Sequence, residues 1–208
     1  MKFGMRPLEY MESLGWVGKD VWYAHGIHFN DYELKILAKT QTEVAHCPIS
    51  NMKLSSGIAR IPEMIKMGIP VGLAVDGSAS NDGSNLLEEI RVVYLLHRSK
   101  SSTDASTGYE ILKLATKGSA SVLGRDDIGE LSVSKAADLF MINSKKLEFV
   151  GTQFDPKSIL GTVGLKGDLD YTIVGGNVVV KEGKLVNIDE EKITYEANEA
   201  VERLIKKA

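Results

Sequence analysis

Cysteine is nearly absent from this chain of 208 residues, which contains a single one, Cys47. One thiol excludes an internal disulfide framework and is typical of a reducing compartment. Long apolar runs are also absent. No stretch approaches the length of a membrane span, and the first residues lack the apolar core of a signal peptide. We therefore expect a soluble, cytoplasmic protein without a membrane partner.

An excess of positive charge is absent as well. The chain has 25 Lys and Arg against 28 Asp and Glu, which gives a formal net charge of −3. Nucleic-acid binding depends largely on a basic surface that neutralises phosphates, so we expect no nucleic-acid partner. A hydrophobic content of 43% with 25% charged residues is ordinary for a globular protein.

A unit of short apolar strand, loop and helix occurs three times in the first half of the chain. The strands are expected at Asp20–Gly26, Glu43–Cys47 and Val71–Val75. Parallel strands need long crossovers, which are usually helical. This order therefore predicts an α/β fold with a parallel sheet whose strands are buried on both faces.

The pattern changes after about Gly124. A hairpin turn is expected at Glu182-Gly183, next to short strands at Ala136–Asn143, Tyr171–Val174 and Asn177–Val180. A charged helix over Glu190–Lys207 follows, with one inward apolar face formed by Ile193, Ala197, Ala200 and Leu204. We predict one domain over residues 1–124 and a second, rich in β-strands, over residues 125–208.

Polar side chains close the three predicted strands of the first domain. His25, His46 and Asp76 stand at their C-terminal ends. Such ends lie at one edge of a parallel sheet, where α/β proteins place their chemistry, so we expect the three side chains to converge. Two imidazoles and a carboxylate are ordinary zinc ligands. The alternative for Asp76 is a loop cap that accepts hydrogen bonds from the amides of residues 77–80.

Two other chemistries are weaker alternatives. Cys47 has no clear basic neighbour that would lower its pKa, so a buried, small apolar side chain is favoured over a nucleophile. The loop Gly77–Asn85 could hold a phosphate through its backbone amides. It lacks the P-loop pattern, however, and Asp76 and Asp82 would repel an anion.

Three ordered motifs resemble the metal-dependent amidohydrolase superfamily, in its deaminase and chlorohydrolase branch. They are WYAHGIHFND at Trp22–Asp31, AHCPISNMKLSSGIARIPEM at Ala45–Met64, and VGLAVDGSASNDGSNL at Val71–Leu86. Within the branch, the first and third motifs are most similar to those of 8-oxoguanine deaminases. The resemblance covers nearly the whole chain, since the downstream segments look like the branch's closing helix and composite β domain.

The resemblance implies strands six to eight of a distorted TIM barrel, followed by a small composite β domain. It implies that Asp76 binds the metal, a zinc ion, and helps to move a proton. It assigns His25 to contact with the attacked group and the hydroxide instead of to the metal. Asn51, Ser80 and Asn81 are candidates for substrate contact, with hydrogen bonding inside their own loops as the alternative.

The chain departs from the family's pattern at the metal site. The family has a His-x-His on its first strand and a His on its fifth, followed closely by a catalytic Glu. No His precedes His25 in this sequence, and no His-x-His is present. The resemblance thus implies a C-terminal portion with an incomplete zinc site. Three strands alone would leave two open edges, so we expect self-association or pairing with an N-terminal half of the barrel.

The resulting hypothesis is a hydrolytic deaminase that acts on a purine-like ring, such as 8-oxoguanine or guanine, through a zinc-activated hydroxide. The isolated chain would lack activity if it needs the N-terminal metal ligands. One alternative is a triazine or adenosine-type aminohydrolase of the same branch. Another is a non-catalytic module that completes the barrel of another chain, which the missing His-x-His favours.

Overall fold

The computed structural model describes residues 3–100 and 105–207. The chain packs as two compact units. The first comprises the chain up to Lys135 together with Lys145–Lys166, and the second comprises Ala136–Ser144 and the chain from Gly167 onward. Within the described residues, no helix combines the length and the apolar character needed to cross a membrane.

A three-stranded parallel sheet lies at the centre of the first unit. Its strands are β1 (Trp22–Ala24), β2 (Glu43–His46) and β3 (Val71–Leu73). β2 lies in the middle and pairs in parallel with both neighbours. Every residue of β2 and β3 is buried, as is usual for strands covered on both faces. The predicted parallel sheet is confirmed, with shorter strands than the sequence pattern indicates.

The helices of the first unit follow local sequence signals. They are α1 (Pro7–Ser13), α2 (Asp31–Thr40), α3 (Pro48–Lys53), α4 (Ile61–Lys66), α5 (Ser78–Asn81), α6 (Leu86–Lys100), α7 (Gly108–Lys113), a π-helical turn (Leu114–Gly118), α8 (Ser119–Val122) and α9 (Ile159–Thr162), with 3-10 turns at Leu147–Phe149, Thr152–Phe154 and Pro156–Ser158. The sequence Thr107-Gly-Tyr-Glu110 has the pattern of a capping box, and the structure shows that box at the start of α7. α2 is capped by Asn30, and Asp31 is its first helical residue.

The core of the first unit lies between the sheet and its crossover helices. Leu34 and Leu37 of α2, Val44 of β2 and Met64 of α4 are all fully buried in one apolar cluster. These residues come from two different strand–loop–helix units of the chain. The packing therefore fixes how the strands lie beside one another, and with them the loops that follow their C-terminal ends.

The outer edge of β3 is covered by Gly118 and Ser119, where the π-helical turn continues directly into α8. The Ser119 hydroxyl accepts a hydrogen bond from the Leu73 N–H at 3.1 Å and donates one to the Leu73 carbonyl at 2.8 Å. The approach is so close that a Cβ on Gly118 would overlap the backbone oxygen of Val71. The expectation of an open edge is therefore wrong at Leu73 of β3, where a side-chain hydroxyl bonds to both backbone groups that a neighbouring strand would pair.

The second unit is a four-stranded antiparallel sheet followed by a helix. Its elements are β4 (Leu139–Met141), β5 (Tyr171–Val174), β6 (Asn177–Lys181), β7 (Lys184–Leu185) and α10 (Glu190–Ile205). The predicted turn at Glu182-Gly183 is confirmed. Both residues have positive φ angles, of 52° and 78°, which a type I′ turn requires.

The inward face predicted for the terminal helix is wrong. No residue of α10 is buried, and Ile193 and Leu204 are 53% and 69% exposed. The reason is that the short strands of this unit do not cover the helix, whereas the apolar spacing in the sequence presumes a neighbour that does. Periodicity reports which residues share a face of a helix and carries no information about what packs on that face.

The division of the chain also differs in detail from the sequence pattern. Residues 125–135 and 145–166 pack with the first unit, although the pattern places the division after Gly124. Contacts of α9 show why: Arg91 of α6 donates to the Gly161 carbonyl at 2.8 Å, and Gly161 lies against the Tyr94 ring. Such links between residues that are distant in the chain leave no periodic signal. That the two units are separate domains stays a prediction.

Candidate active site

Two of the residues singled out by the sequence meet at the C-terminal edge of the parallel sheet. His25 directly follows β1, and Asp76 lies three residues after β3. Both have a positive φ, of 106° and 68°, which is uncommon for residues other than Gly. Strained backbone of this kind is concentrated at functional sites. The Asp76 Oδ2 atom lies 3.8 Å from the His25 Nε2 atom.

Hydrogen-bond donors surround the Asp76 carboxylate. Oδ2 accepts from the Ser50 hydroxyl at 2.6 Å and from the Ser80 hydroxyl at 2.8 Å. The bonds from Ser50, the Gly77 backbone and Ser80 lower the pKa of Asp76 below its ordinary value, against a smaller opposing effect of burial, and His25 contributes further. The group is thus ionised at neutral pH. Asp76 therefore accepts hydrogen bonds from its own loop, as the loop-cap alternative expects, and also one from Ser50, which lies outside that loop.

The other side of the His25 ring contacts Asn51. The His25 Nδ1 atom lies 3.1 Å from the Asn51 Oδ1 atom. Because an amide oxygen only accepts hydrogen bonds, this contact places a proton on Nδ1. The Nε2 atom then faces the carboxylate of Asp76. Asn51 itself is 3% exposed, and its amide nitrogen is buried with no hydrogen-bond partner among the described residues.

His46 does not join this pair, which corrects the expectation that three side chains converge. It is fully buried, and its Nε2 atom lies 3.4 Å from the Nε2 atom of His97 in α6. Burial lowers the pKa of His46 to about 3 and that of His97 to about 4, so both rings are neutral. A position at a strand end does not say whether a helix covers the side chain, as α6 does here.

The two other candidate contact residues are held within their own loops. Besides Asp76, the Ser80 hydroxyl contacts the Gly77 carbonyl at 3.0 Å. Asn81 is 4% exposed, its amide nitrogen donates to Glu89 at 2.6 Å, and its oxygen accepts from the Ser84 N–H at 2.8 Å. Hydrogen bonding inside the loop therefore describes Ser80 in this structure, whereas Asn81 bonds both to its own loop and to Glu89 of α6.

The structure adds two residues that the sequence reasoning missed. Ser50, in the short helix α3, is fully buried and bonds to Asp76, but a single serine in so short an element gives no distinctive signal. Glu89 is fully buried in α6 and contacts Asn81 and the Ile49 N–H. A signal for Glu89 did exist, because its spacing places a charged residue on the apolar face of the helix.

Cys47 is not a candidate nucleophile. Its thiol is buried, and burial raises its pKa to about 12, with the nearby carboxylates of Asp76 and Glu89 adding to the effect. A thiol with such a pKa is not ionised at neutral pH, and the thiolate is the reactive form. This supports the preferred interpretation of Cys47 as a small buried side chain.

The residues of this chain do not by themselves fit a catalytic zinc ion. Such a zinc takes three protein ligands and keeps a further position for water. Within the described residues, no group of three or more His, Cys, Asp or Glu side chains is placed to hold a metal. Asp76 offers one carboxylate ligand at an edge where a cation would be stabilised. A complete site would need ligands from beyond the residues described.

Comparisons with known proteins agree with this arrangement. The amidohydrolase family model matches residues 2–179. Hydroxydechloroatrazine ethylaminohydrolase of Pseudomonas sp. strain ADP is 40% identical over 98% of this chain and 43% of its own length. The 8-oxoguanine deaminase of Pseudomonas aeruginosa is 43% identical over 90% of this chain and 41% of its own length. The chain spans less than half the length of these curated relatives.

Solved structures show the same partial match. Atrazine chlorohydrolase TrzN from Arthrobacter aurescens TC1, complexed with zinc, superposes with a TM-score of 0.89 at 34% identity, over 94% of this chain and 44% of that one. An adenosine deaminase from Xanthomonas campestris with bound zinc superposes with a TM-score of 0.93 at 26% identity, over 98% and 47%. The predicted α/β fold, equivalent to the C-terminal portion of such proteins, is confirmed.

Proposed function

Because the chain belongs to the amidohydrolase family, we propose that it supplies the C-terminal part of the active site of a hydrolytic deaminase. The proposed substrate is a purine-like ring such as 8-oxoguanine or guanine. One observation carries the proposal: an ionised Asp76 is held by three donors beside His25, at the edge where parallel sheets place their chemistry.

The two side chains would divide the proton chemistry between them. Asp76 is ionised at neutral pH, so it can accept a proton from the attacking water and deliver it to the departing ammonia. His25, with its proton on Nδ1 held by Asn51, presents Nε2 toward the same point. From this position His25 would form a hydrogen bond with the tetrahedral centre that develops on the ring. Asn51 keeps the ring in this orientation.

Zinc is part of the proposal, with Asp76 as the ligand that this chain contributes. When bound, zinc lowers the pKa of a coordinated water to about 7 and so supplies hydroxide at neutral pH. The remaining ligands would come from an N-terminal half of the barrel, which we propose as the partner, with self-association as the alternative. The edge of β1 supports this, because Trp22 there is 49% exposed. We further propose that the protein is cytoplasmic.

The substrate within the family is the finer part of the proposal. The relatives include an 8-oxoguanine deaminase, a triazine aminohydrolase and 5'-deoxyadenosine deaminases, so triazine or adenosine-type rings are the alternatives. Asn51 supports contact with a polar ring, since its buried amide donor has no partner among the described residues and leaving such a donor unpaired is costly. Ser80 and Asn81 would act by shaping the loop.

An ammonia-release assay tests the proposal. The chain is supplied with zinc and with 8-oxoguanine, guanine, adenosine or a triazine, alone and mixed with the N-terminal half of the Pseudomonas aeruginosa relative. We expect turnover in the mixture, and a loss of about 10²–10⁴-fold with Asp76→Asn, the range for removal of a proton-transfer group.

Asp82→Asn is the matched control. Asp82 is a 73% exposed neighbour that pairs with Lys53 at 2.6 Å, so its replacement should leave turnover near wild type. Turnover that survives Asp76→Asn would contradict the proposal. Absence of turnover in every mixture, with binding of the N-terminal half intact, would favour the non-catalytic module that completes a barrel.

A further inference from the structure

A buried carboxylate links the two loops of the candidate active site, which are the segment after β2 that contains the short helix α3 and the segment after β3 that contains α5. Glu89 lies in the first turn of α6 and is fully buried, whereas its neighbour Glu88 is exposed. Its Oε1 atom accepts from the Asn81 amide at 2.6 Å, and its Oε2 atom accepts from the Ile49 N–H at 3.2 Å. Ile49 follows β2 in the chain and Asn81 follows β3. One side chain thus bridges segments that are far apart in sequence.

Each end of this bridge is one residue away from a donor to Asp76. Ile49 precedes Ser50, whose hydroxyl bonds to Asp76 at 2.6 Å. Asn81 follows Ser80, whose hydroxyl bonds to the same carboxylate oxygen at 2.8 Å. Residue 51, which contacts His25, is in the first of these segments as well. The distance between the two loops therefore sets whether both hydroxyls can reach Asp76 together.

The residue type fits this role better than an apolar side chain would. Both donors that face Glu89 are N–H groups, so an acceptor is needed at each of its two oxygens, and an ionised carboxylate provides this. A buried carboxylate is costly, and burial raises the pKa of Glu89 to about 7. The first turn of a helix favours an anion and offsets part of this cost. An apolar residue would fill the space but leave both donors unpaired.

We propose that Glu89 is a positioning residue, which holds the loop after β2 and the loop after β3 at the spacing that places Ser50, Ser80 and Asn51 on the Asp76–His25 pair. It does not touch the proposed substrate itself. As a statement about catalysis this rests on the proposed function, whereas the link between the loops is a property of the fold.

A reversal of hydrogen-bond polarity tests the proposal. Glu89→Gln keeps the shape but places an amide nitrogen against one of the two N–H groups, so one bond is lost. Adding Asn81→Asp lets the new amide donate to the new carboxylate, while the second oxygen of that carboxylate still accepts from Ser84. Above pH 7, where Glu89 is ionised, the double variant also keeps the net charge of the wild type. Glu88→Gln is the matched control, because it removes the same charge from an exposed position on the same helix.

The readouts are the nitrogen shifts of the His25 ring by NMR and the hydrogen exchange of the Asn51 backbone amide. We expect Glu89→Gln to shift the ring signals and to speed the exchange about tenfold, which corresponds to the loss of about one hydrogen bond. The double variant should restore both readouts, and Glu88→Gln should change neither.

A double variant that recovers neither wild-type readout would overturn the proposal, whether or not Glu89→Gln alone folds. An unchanged His25 signal in a folded Glu89→Gln variant would do so as well. Neither readout requires turnover, so a chain without deaminase activity still decides this question. In an active mixture, Glu89→Gln should lower kcat more than it raises KM.

Discussion

The two units of this chain differ in how they treat apolar side chains. In the first unit, Leu34, Leu37 and Met64 are fully buried beneath the parallel sheet. In the second, none of the described residues is buried, and Ile193 and Leu204 of α10 are more than half exposed. Both units show regular apolar spacing in the sequence. The comparison teaches that spacing selects the element, whereas a second layer of structure decides whether the element is buried.

The same difference in packing separates the unit that carries the candidate active site from the unit that does not. The candidate active site follows β1 and β3, which flank the fully buried β2, and a packed sheet of this kind suits a site that needs fixed distances. The second unit has no His at all, since the four in the chain lie at positions 25, 28, 46 and 97. Its exposed apolar residues form the kind of surface that marks contacts with further polypeptide. This supports the proposed pairing with an N-terminal half.

The largest expected effect comes from truncating one leucine in each unit. Leu34→Ala removes a side chain that is 0% exposed, and we expect a loss of about 2–5 kcal/mol in the free energy of unfolding. Leu204→Ala truncates one that is 69% exposed, and the change should stay within about 0.5 kcal/mol. Urea denaturation measures both. Equal losses of unfolding free energy in the two variants would contradict the difference in burial between the two units.

A smaller effect is expected where β3 meets the segment before α8. Gly118→Ala places a Cβ against the Val71 backbone oxygen, so either the helical segment or the sheet must move, at about 1–3 kcal/mol. Gly167→Ala is the control in the second unit, since a Cβ there meets nothing within 4 Å. Thermal denaturation of both variants measures the difference. A Gly118→Ala variant with the melting temperature of the wild type would show that the close approach to β3 is not required.

The smallest net effect concerns pH, because the loss from two buried imidazoles is partly offset by the buried carboxyl group of Glu89. Burial lowers the pKa of His46 to about 3 and of His97 to about 4. Below about pH 6.5 the unfolded chain binds protons that the folded chain does not, so the free energy of unfolding falls as the pH falls. The slope should approach about 1.4 kcal/mol per pH unit for each imidazole. Urea denaturation at pH 7 and pH 5 measures the loss.

The control for this prediction is His97→Gln, which removes one of the two titrating rings and should roughly halve their combined contribution to the slope. Glu89 acts in the opposite direction, because burial raises its pKa to about 7 and the folded chain binds its proton first. Its contribution is common to both proteins and cancels in their difference. Identical slopes for the variant and the wild type would contradict the proposed neutral pair.

Much of the fold was predictable from local pattern. The three short apolar segments with helical crossovers predict a parallel sheet, and Thr107 with Glu110 predicts a helix start, because these signals lie within a few residues of each other. The cover on β3 by Ser119 was not predictable, since it joins residues 46 positions apart through one hydroxyl. The exposure of α10 was missed for a similar reason, as it depends on what is absent from its surroundings.

At the site, the meeting of His25 and Asp76 was predictable, because parallel strands bring their C-terminal ends to one edge. The place of His46 was not, since it depends on α6, whose His97 packs on it. Ser50 and Glu89 were missed for different reasons. A single serine in the short helix α3 has no periodic signal, whereas Glu89 had one on the apolar face of its helix. Spacing alone can indicate that a carboxylate is buried, but only the structure shows which groups it bonds to.

The sequence by itself determined the order of strands and helices and the carboxylate and imidazole at the strand ends. It did so because alternation, helical spacing and caps act over a few residues. Only the tertiary structure decided which polar groups donate hydrogen bonds to Asp76, that the His46 imidazole is buried, and that the Glu89 carboxylate links the two loops. Those outcomes depend on contacts between residues far apart in the chain, where burial and hydrogen-bond geometry, and not local pattern, set the energy.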